Sequence, residues 1–226
     1  CKTAAEVSQN LKPGLLAEGF VSGEEMSVEA FRCDGKTIFL NPTCYLKPRW
    51  ANVVPAPLDE DERRATCEIA ERVYQALEIH SGISHMEVFL SKNGPVFGEI
   101  AARPPGGCLM ELIRRAYDMD PWELLLRLAV GEKPKAESEP VRSAGVWLIH
   151  PGAGKVTDVR GLQLARKMPG VVHASCHLRS GDDVSARIGS GETKGRVVVE
   201  ADSYDDCKDQ LKRAIDEIII ESKFQN

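Results

Sequence analysis

Several features are missing from this chain, and each absence excludes something. No apolar run approaches the roughly 20 residues that cross a bilayer as a helix. The opening stretch C-K-T-A-A-E-V-S-Q-N lacks the hydrophobic core of a secretion signal. Basic residues number 29 against 34 acidic ones, for a net charge of -5, so no cationic surplus draws in nucleic acid or an anionic membrane. There is no internal repeat and no low-complexity tract. Cysteine is present seven times, at Cys1, Cys33, Cys44, Cys67, Cys108, Cys176 and Cys207, but never as C-x-x-C. An odd count at irregular spacing argues against a disulfide framework or a zinc site. The cysteines read as reduced thiols of a cytoplasmic protein. No initiator methionine precedes Cys1, so a chain cut from a longer one is expected.

What remains is an ordinary globular composition, with 42% apolar and 28% charged residues over 226 positions. That length supports one large domain or two small ones. Short strands fill the first half: L-L-A-E-G-F-V (15–21), then E-M-S-V-E-A-F-R (25–32), which C-D-G-K (33–36) turns into T-I-F-L-N-P. Asp34-Gly35 is a hairpin signal. A helix is predicted over 59–78, capped by Asp59, with Cys67, Ala70, Val73, Tyr74 and Leu77 at helical spacing. C-L-M-E-L-I-R-R-A-Y (108–117) follows, then a helix bounded by Pro121 and Gly131. The polar segment E-K-P-K-A-E-S-E-P (132–140) is the best boundary. Beyond it lie a strand S-A-G-V-W-L-I-H-P, glycine turns, the strand R-V-V-V-E-A (196–201) and a last helix with Ser203 and Asp206 as capping box.

The densest chemistry is in H-M-E-V-F-L-S-K-N-G-P-V-F-G-E-I-A-A-R-P-P-G-G (85–107), which reads as two antiparallel strands. Register decides which side chains meet. A two-residue Asn93-Gly94 turn puts Glu87 and Glu99 on opposite faces. A three-residue loop, Lys92-Asn93-Gly94, pairs Ser91 with Pro95 and sets Glu87 directly opposite Glu99. Pro95 just after the glycine favours the longer loop. Opposed carboxylates lie about 4.5–5.5 Å apart at Cβ and repel, so they call for a cation. Mg²⁺ suits them, because it takes carboxylate oxygens while keeping waters and substrate phosphates. The same register puts His85 opposite Ala101 and Arg103 opposite Ile83. The competing reading is a solvated hairpin face whose glutamates coincide.

This segment resembles the metal-binding hairpin of the ATP-grasp superfamily: an acid on one strand, a glycine-containing turn, then an E-I-N-x-R-x-G-G-like return. Glu87, the N-G turn, Glu99-Ile100, Arg103 and Gly106-Gly107 match it. L-L-A-E-G-F-V-S-G-E-E-M-S-V-E resembles the family's hinge. The resemblance implies an α+β fold: the antiparallel-sheet lobe of the ATP-grasp fold over 1–135 and a small C-terminal α+β domain over 136–226. It also implies ATP and Mg²⁺ as cofactors. Glu87 and Glu99 would hold the metal. Glu18, Gly19, Phe20 and Val21 would meet adenine, Glu25 the ribose, and Arg103 would contact phosphate or a substrate carboxylate as the catalytic residue. The family asparagine two residues after the second acid is Ala101. E-I-A-A-R is similar to the E-I-G-A-R variant of L-amino-acid ligases, and the region after 141 looks like the C-terminal domain of that branch. Only 17 residues precede Glu18, so the resemblance covers the C-terminal half of such an enzyme. It implies a carboxylate–amine ligase with small-molecule carboxylate and amine substrates, and a possible homodimer. The alternatives are a biotin carboxylase-like enzyme and a non-catalytic module.

Other signals read more plainly. G-A-G-K (152–155) lacks the earlier glycine of a phosphate loop and reads as a turn between strands. His150, His173 and His177 show no ligand spacing. Lys47 and Arg49 read as loop cations, Arg114 and Arg115 as a solvated helix face, and Cys108 as a buried thiol.

Overall fold

A computed structural model describes residues 3–137, 139–189 and 191–223; Cys1 lies outside them. The chain opens with α1 (Ala4–Asn10), then β1 (Gly23–Cys33), β2 (Lys36–Lys47), β3 (Ala51–Val54), α2 (Glu60–Ala76), β4 (Gly82–Ser91) and β5 (Gly94–Ala101). Next come α3 (Leu109–Tyr117), α4 (Pro121–Ala129), β6 (Ser143–Ile149), β7 (Gly154–Arg160) and α5 (Leu162–Ala165). The chain ends with β8 (Val171–Cys176), β9 (Asp183–Val184), β10 (Gly195–Ala201), α6 (Tyr204–Asp216) and β11 (Ile219–Lys223). Among the described residues no helix is long and apolar enough to cross a membrane.

Eight strands form one antiparallel sheet in the order β5-β4-β1-β2-β3-β6-β10-β8, and β11-β7-β9 form a second. The larger sheet runs across the boundary at 135/136, because β3 pairs with β6 from Ala51↔Trp147 to Val54↔Ala144. Paired residues share a face. Met26, Val28 and Ala30 pack under Ala70 and Tyr74 of α2. Val53, Val197 and Val199 pack under Cys207 and Leu211 of α6. On the opposite face Phe31, Phe39, Val54 and Val198 pack with Leu112, Ile113 and Tyr117 of α3. β1 is therefore buried on both sides from Met26 to Arg32.

Local chemistry explains the punctuation. Asp34 and Gly35 both take positive φ (49° and 77°), as a two-residue hairpin turn requires. Asp59 and Glu62 cap α2 reciprocally. Its end differs from the expected stripe: Leu77 is the C-cap and exposed, and Thr66 joins Ala70 and Tyr74 as the buried set. G-A-G-K is a glycine turn leading into β7, with Gly152 and Gly154 at positive φ.

The N-terminus needs a larger correction. Residues 15–21 form no strand; the chain is irregular from Leu11 to Ser22 and exposes Leu16 and Phe20, the latter at 95%. An apolar run becomes a strand only with a ladder partner. β4, the neighbour of β1, reaches no further than Gly23↔Ser91. The helix α1 was not expected; Thr3 caps it and it buries nothing.

Candidate functional site

The two glutamates are opposed, by a different route from the expected loop. Ser91 pairs with Gly94, so the reversal contains only Lys92 and Asn93. That register alone would carry Glu99 opposite Met86, on the wrong face. Gly98 intervenes as an extra residue: Val88 pairs with Phe97, the ladder shifts, and Glu87 pairs with Glu99. A β-bulge, not a longer turn, sets the pair. Glycine suits the position because a Cβ there would lie 3.1 Å from the Glu87 carbonyl oxygen and 3.1 Å from the Phe89 ring. His85 lies opposite Ala101 as expected. β5 ends at Ala101, so Arg103 has no ladder partner at Ile83; its Nη1 donates to the Pro104 carbonyl at 3.0 Å.

These groups line a cleft of about 170 Å³ with Glu25, Tyr45, Arg49, Asn52, Gly106 and Gly107. Glu25 reaches it from β1, where it pairs with Phe89. Three carboxylates thus converge, and the electrostatics register it: burial, then Glu87 and Glu99, push the Glu25 carboxyl above its usual value. Arg103 and Arg49 bring the opposite charge. Arg49 adopts φ 68° and donates to the Ile188 carbonyl at 2.5 Å, so a loop of the C-terminal segment fixes it at the rim. Glu18, Gly19, Phe20 and Val21 do not line the cleft.

A buried polar network backs the cleft, which reading the sequence did not find. Glu29, with no solvent exposure, accepts from Ser27 Oγ at 2.7 Å, Thr43 Oγ1 at 2.5 Å and Asn41 Nδ2 at 3.1 Å. His85 Nδ1 lies 2.8 Å from the same carboxylate. On the other edge of the ring, Nε2 is 3.7 Å from Glu87 Oε1, an ion-pair contact rather than a hydrogen bond. Tyr45 Oη donates to that Glu87 oxygen at 3.4 Å. Burial alone would depress the imidazole, but Glu29 and Glu87 outweigh it and push its pKa up to about 9. The His85 imidazolium in turn draws the Glu87 carboxyl below its ordinary value, against burial, with help from Tyr45 and Arg103. A signal for the network existed: E-M-S-V-E in β1 and N-P-T-C-Y in β2 both alternate polar with apolar, and Ser27↔Thr43 and Glu29↔Asn41 are cross-strand pairs.

The donor set fits magnesium. Among the described residues no group of three or more His, Cys, Asp and Glu forms a metal cage. An ion completed by waters and substrate phosphates needs only one or two carboxylates, which Glu87 and Glu99 supply. The remaining candidates settle simply. Burial raises the Cys108 thiol pKa, so it stays protonated beside Arg196. Arg115 is no solvated cation: it bridges Glu111 at 2.7 Å and Glu200 at 2.6 Å.

The comparisons with known proteins bear on the fold and the family. Residues 3–111 match the ATP-grasp domain, and residues 146–223 match the L-amino acid ligase C-terminal domain 2. Residues 3–111 belong to the ATP-grasp superfamily. It is 22% identical over 191 residues to the L-arginine-specific L-amino acid ligase of Bacillus subtilis, covering 81% of this chain and 46% of that protein. It is 26% identical over 183 residues to dapdiamide A synthase of Enterobacter agglomerans, covering 74% and 43%. The fold superposes on the crystal structure of L-amino acid ligase from Bacillus licheniformis with a TM-score of 0.76 at 24% identity, over 92% of this chain and 53% of that one. The chain spans less than half the length of the curated relatives it matches.

Proposed function

We propose that residues 1–226 form the C-terminal half of a carboxylate–amine ligase that uses MgATP and passes through an acylphosphate. The observation that carries the reading is the opposition of Glu87 and Glu99 in a cleft that also holds Arg103. The match of residues 146–223 to an L-amino acid ligase domain supports the amine-ligase branch over a carboxylase-like one. Residues 1–135 would form the nucleotide lobe and 136–226 a smaller domain.

In this reading, a carboxylate oxygen of one substrate attacks the γ-phosphorus of ATP. An acyl–O–P bond forms and ADP leaves. An amine then attacks the acyl carbon, an amide bond forms, and inorganic phosphate departs as the amine gives up a proton. Bound Mg²⁺, held by Glu87 and Glu99, would supply charge neutralisation between the two anionic reactants. Arg103 binds phosphate or the substrate carboxylate through its fork. Glu25 takes the ribose hydroxyls, and the segment Glu18, Gly19, Phe20 and Val21 meets the adenine. The chain's contribution is chiefly positioning and electrostatics.

The test is Glu99→Ala in the full-length protein, with ADP release measured against pooled amino acids. Loss of ADP release with an unchanged circular dichroism spectrum supports the reading. Undiminished ADP release refutes it.

A further inference from the structure

Glu29 is a buried acid that the proposed chemistry does not use. It sits in the third strand from the sheet edge, fully enclosed, and its two oxygens collect four side-chain partners from β1, β2 and β4. Asn41 is itself held by Tyr117 Oη, which donates to its Oδ1 at 3.0 Å, so the anchorage extends into α3. Isolated buried carboxylates are costly, and this one is offset by four side-chain contacts to its oxygens. Three of the partners only immobilise Glu29. The fourth, His85, passes the restraint outward: its ring bridges Glu29 at 2.8 Å on one nitrogen and Glu87 at 3.7 Å on the other. Glu29 and His85 are directly paired across β1 and β4, as are Ser27 and Glu87, so the bridge runs along one face of two adjacent strands.

We infer that Glu29 and His85 are positioning residues: they form a buried brace that fixes the Glu87 carboxylate for the metal ion. The inference rests on the assignment of Glu87 as a metal ligand under the proposed function. Without the brace, Glu87 would keep the long contact from Tyr45 and the more distant charge of Arg103, and swing among rotamers on a strand whose next neighbour is the edge. Partners one step behind a metal ligand commonly tune affinity by about 10–100-fold when removed. The lower end suits this case, because Glu99, which has no such brace among the described residues, continues to bind.

The experiment is a titration of Mn²⁺ into the full-length protein with ATP present, followed by the electron paramagnetic resonance of free Mn²⁺. His85→Asn keeps a donor near Glu29 but does not span to Glu87. Glu29→Asp keeps the charge and draws it away from the ring. Ser84→Ala, on the opposite face of β4, is the control. The expected result is about tenfold weaker Mn²⁺ binding in both brace variants and none of that loss in the control. His85 lies at the cleft surface, so its variant reports even if Glu29→Asp does not fold. Equal Mn²⁺ affinity in folded His85→Asn and the parent overturns the brace alone. Equal weakening in Ser84→Ala overturns it too, because the effect would then be general loosening of β4. A parent protein with no ATP-dependent Mn²⁺ site overturns the assignment of Glu87 itself.

Discussion

Gly98 sits across the ladder from the Glu87 carbonyl, where a Cβ would come within 3.1 Å of the oxygen, and by being there as a supernumerary residue it turns Glu99 to face Glu87. The arrangement depends on the bulge and not on the glycine's flexibility, since Gly98 has no positive φ. Two opposite outcomes follow for neighbouring changes. Gly98→Val forces the backbone apart and is expected to weaken Mn²⁺ binding and to cost about 1–3 kcal/mol of stability. Deleting Gly98 lets the hairpin zip without interruption and still leaves Glu87 opposite Glu99. Mn²⁺ titration of both variants decides: a deletion that loses the site while Gly98→Val keeps it contradicts the bulge account.

Arg103 is an exposed guanidinium with a single backbone contact, so the fold does not need it. Arg103→Lys keeps the charge and loses the planar fork. The expectation is a clear fall in ADP release at saturating ATP, with urea stability within about 0.5 kcal/mol of the parent. A lysine variant of full activity shows that no bidentate contact is made.

Arg32 is almost fully enclosed. It donates to Glu71, Thr37 and the carbonyls of Ile79 and Gly35, and stacks over Tyr74 at 4.6 Å. Arg32→Met is expected to lose about 3 kcal/mol in urea unfolding, because those acceptors lose their donor. The pH dependence has a definite sign. Arg32 holds the Glu71 carboxyl below its ordinary 4.5, so this pair's contribution is present above that pH and fades as pH falls through the lowered folded value. Acid titration of Arg32→Met should therefore show a shallower stability loss below 4.5 than the parent; parallel curves refute the coupling.

Asp59 accepts from the Glu62 amide at 2.8 Å, and the Glu62 carboxylate accepts in turn from the Asp59 amide at 3.1 Å. Asp59→Ala is expected to cost about 1 kcal/mol. A melting temperature equal to the parent's would mean the box adds nothing to α2.

Reading the residues alone went furthest where chemistry is local. The Asp34-Gly35 turn, the Asp59 cap and the Pro121 helix start are all set by neighbours in sequence. The opposition of Glu87 and Glu99 was also legible, though through a three-residue loop that does not exist. Alternation shows that two acids share a face, but a loop and a bulge each add one residue, and only the ladder tells them apart. The strand expected at 15–21 failed because apolar β-formers need a partner that the local sequence cannot reveal. Glu29 was passed over for a related reason. A polar residue every second position in β1 looks like a solvated face until β2 and β4 present matching polar groups to it.

The four residues of β3 carry one more implication. Within the large sheet, every strand-to-strand path from the glutamate hairpin to β6, β10 and β8 passes through Ala51–Val54, and all four are buried. That short ribbon is the isthmus of the sheet: weakening it would break the ladder between the acid pair and the C-terminal strands, and leave α3, packed under both halves, to hold them together.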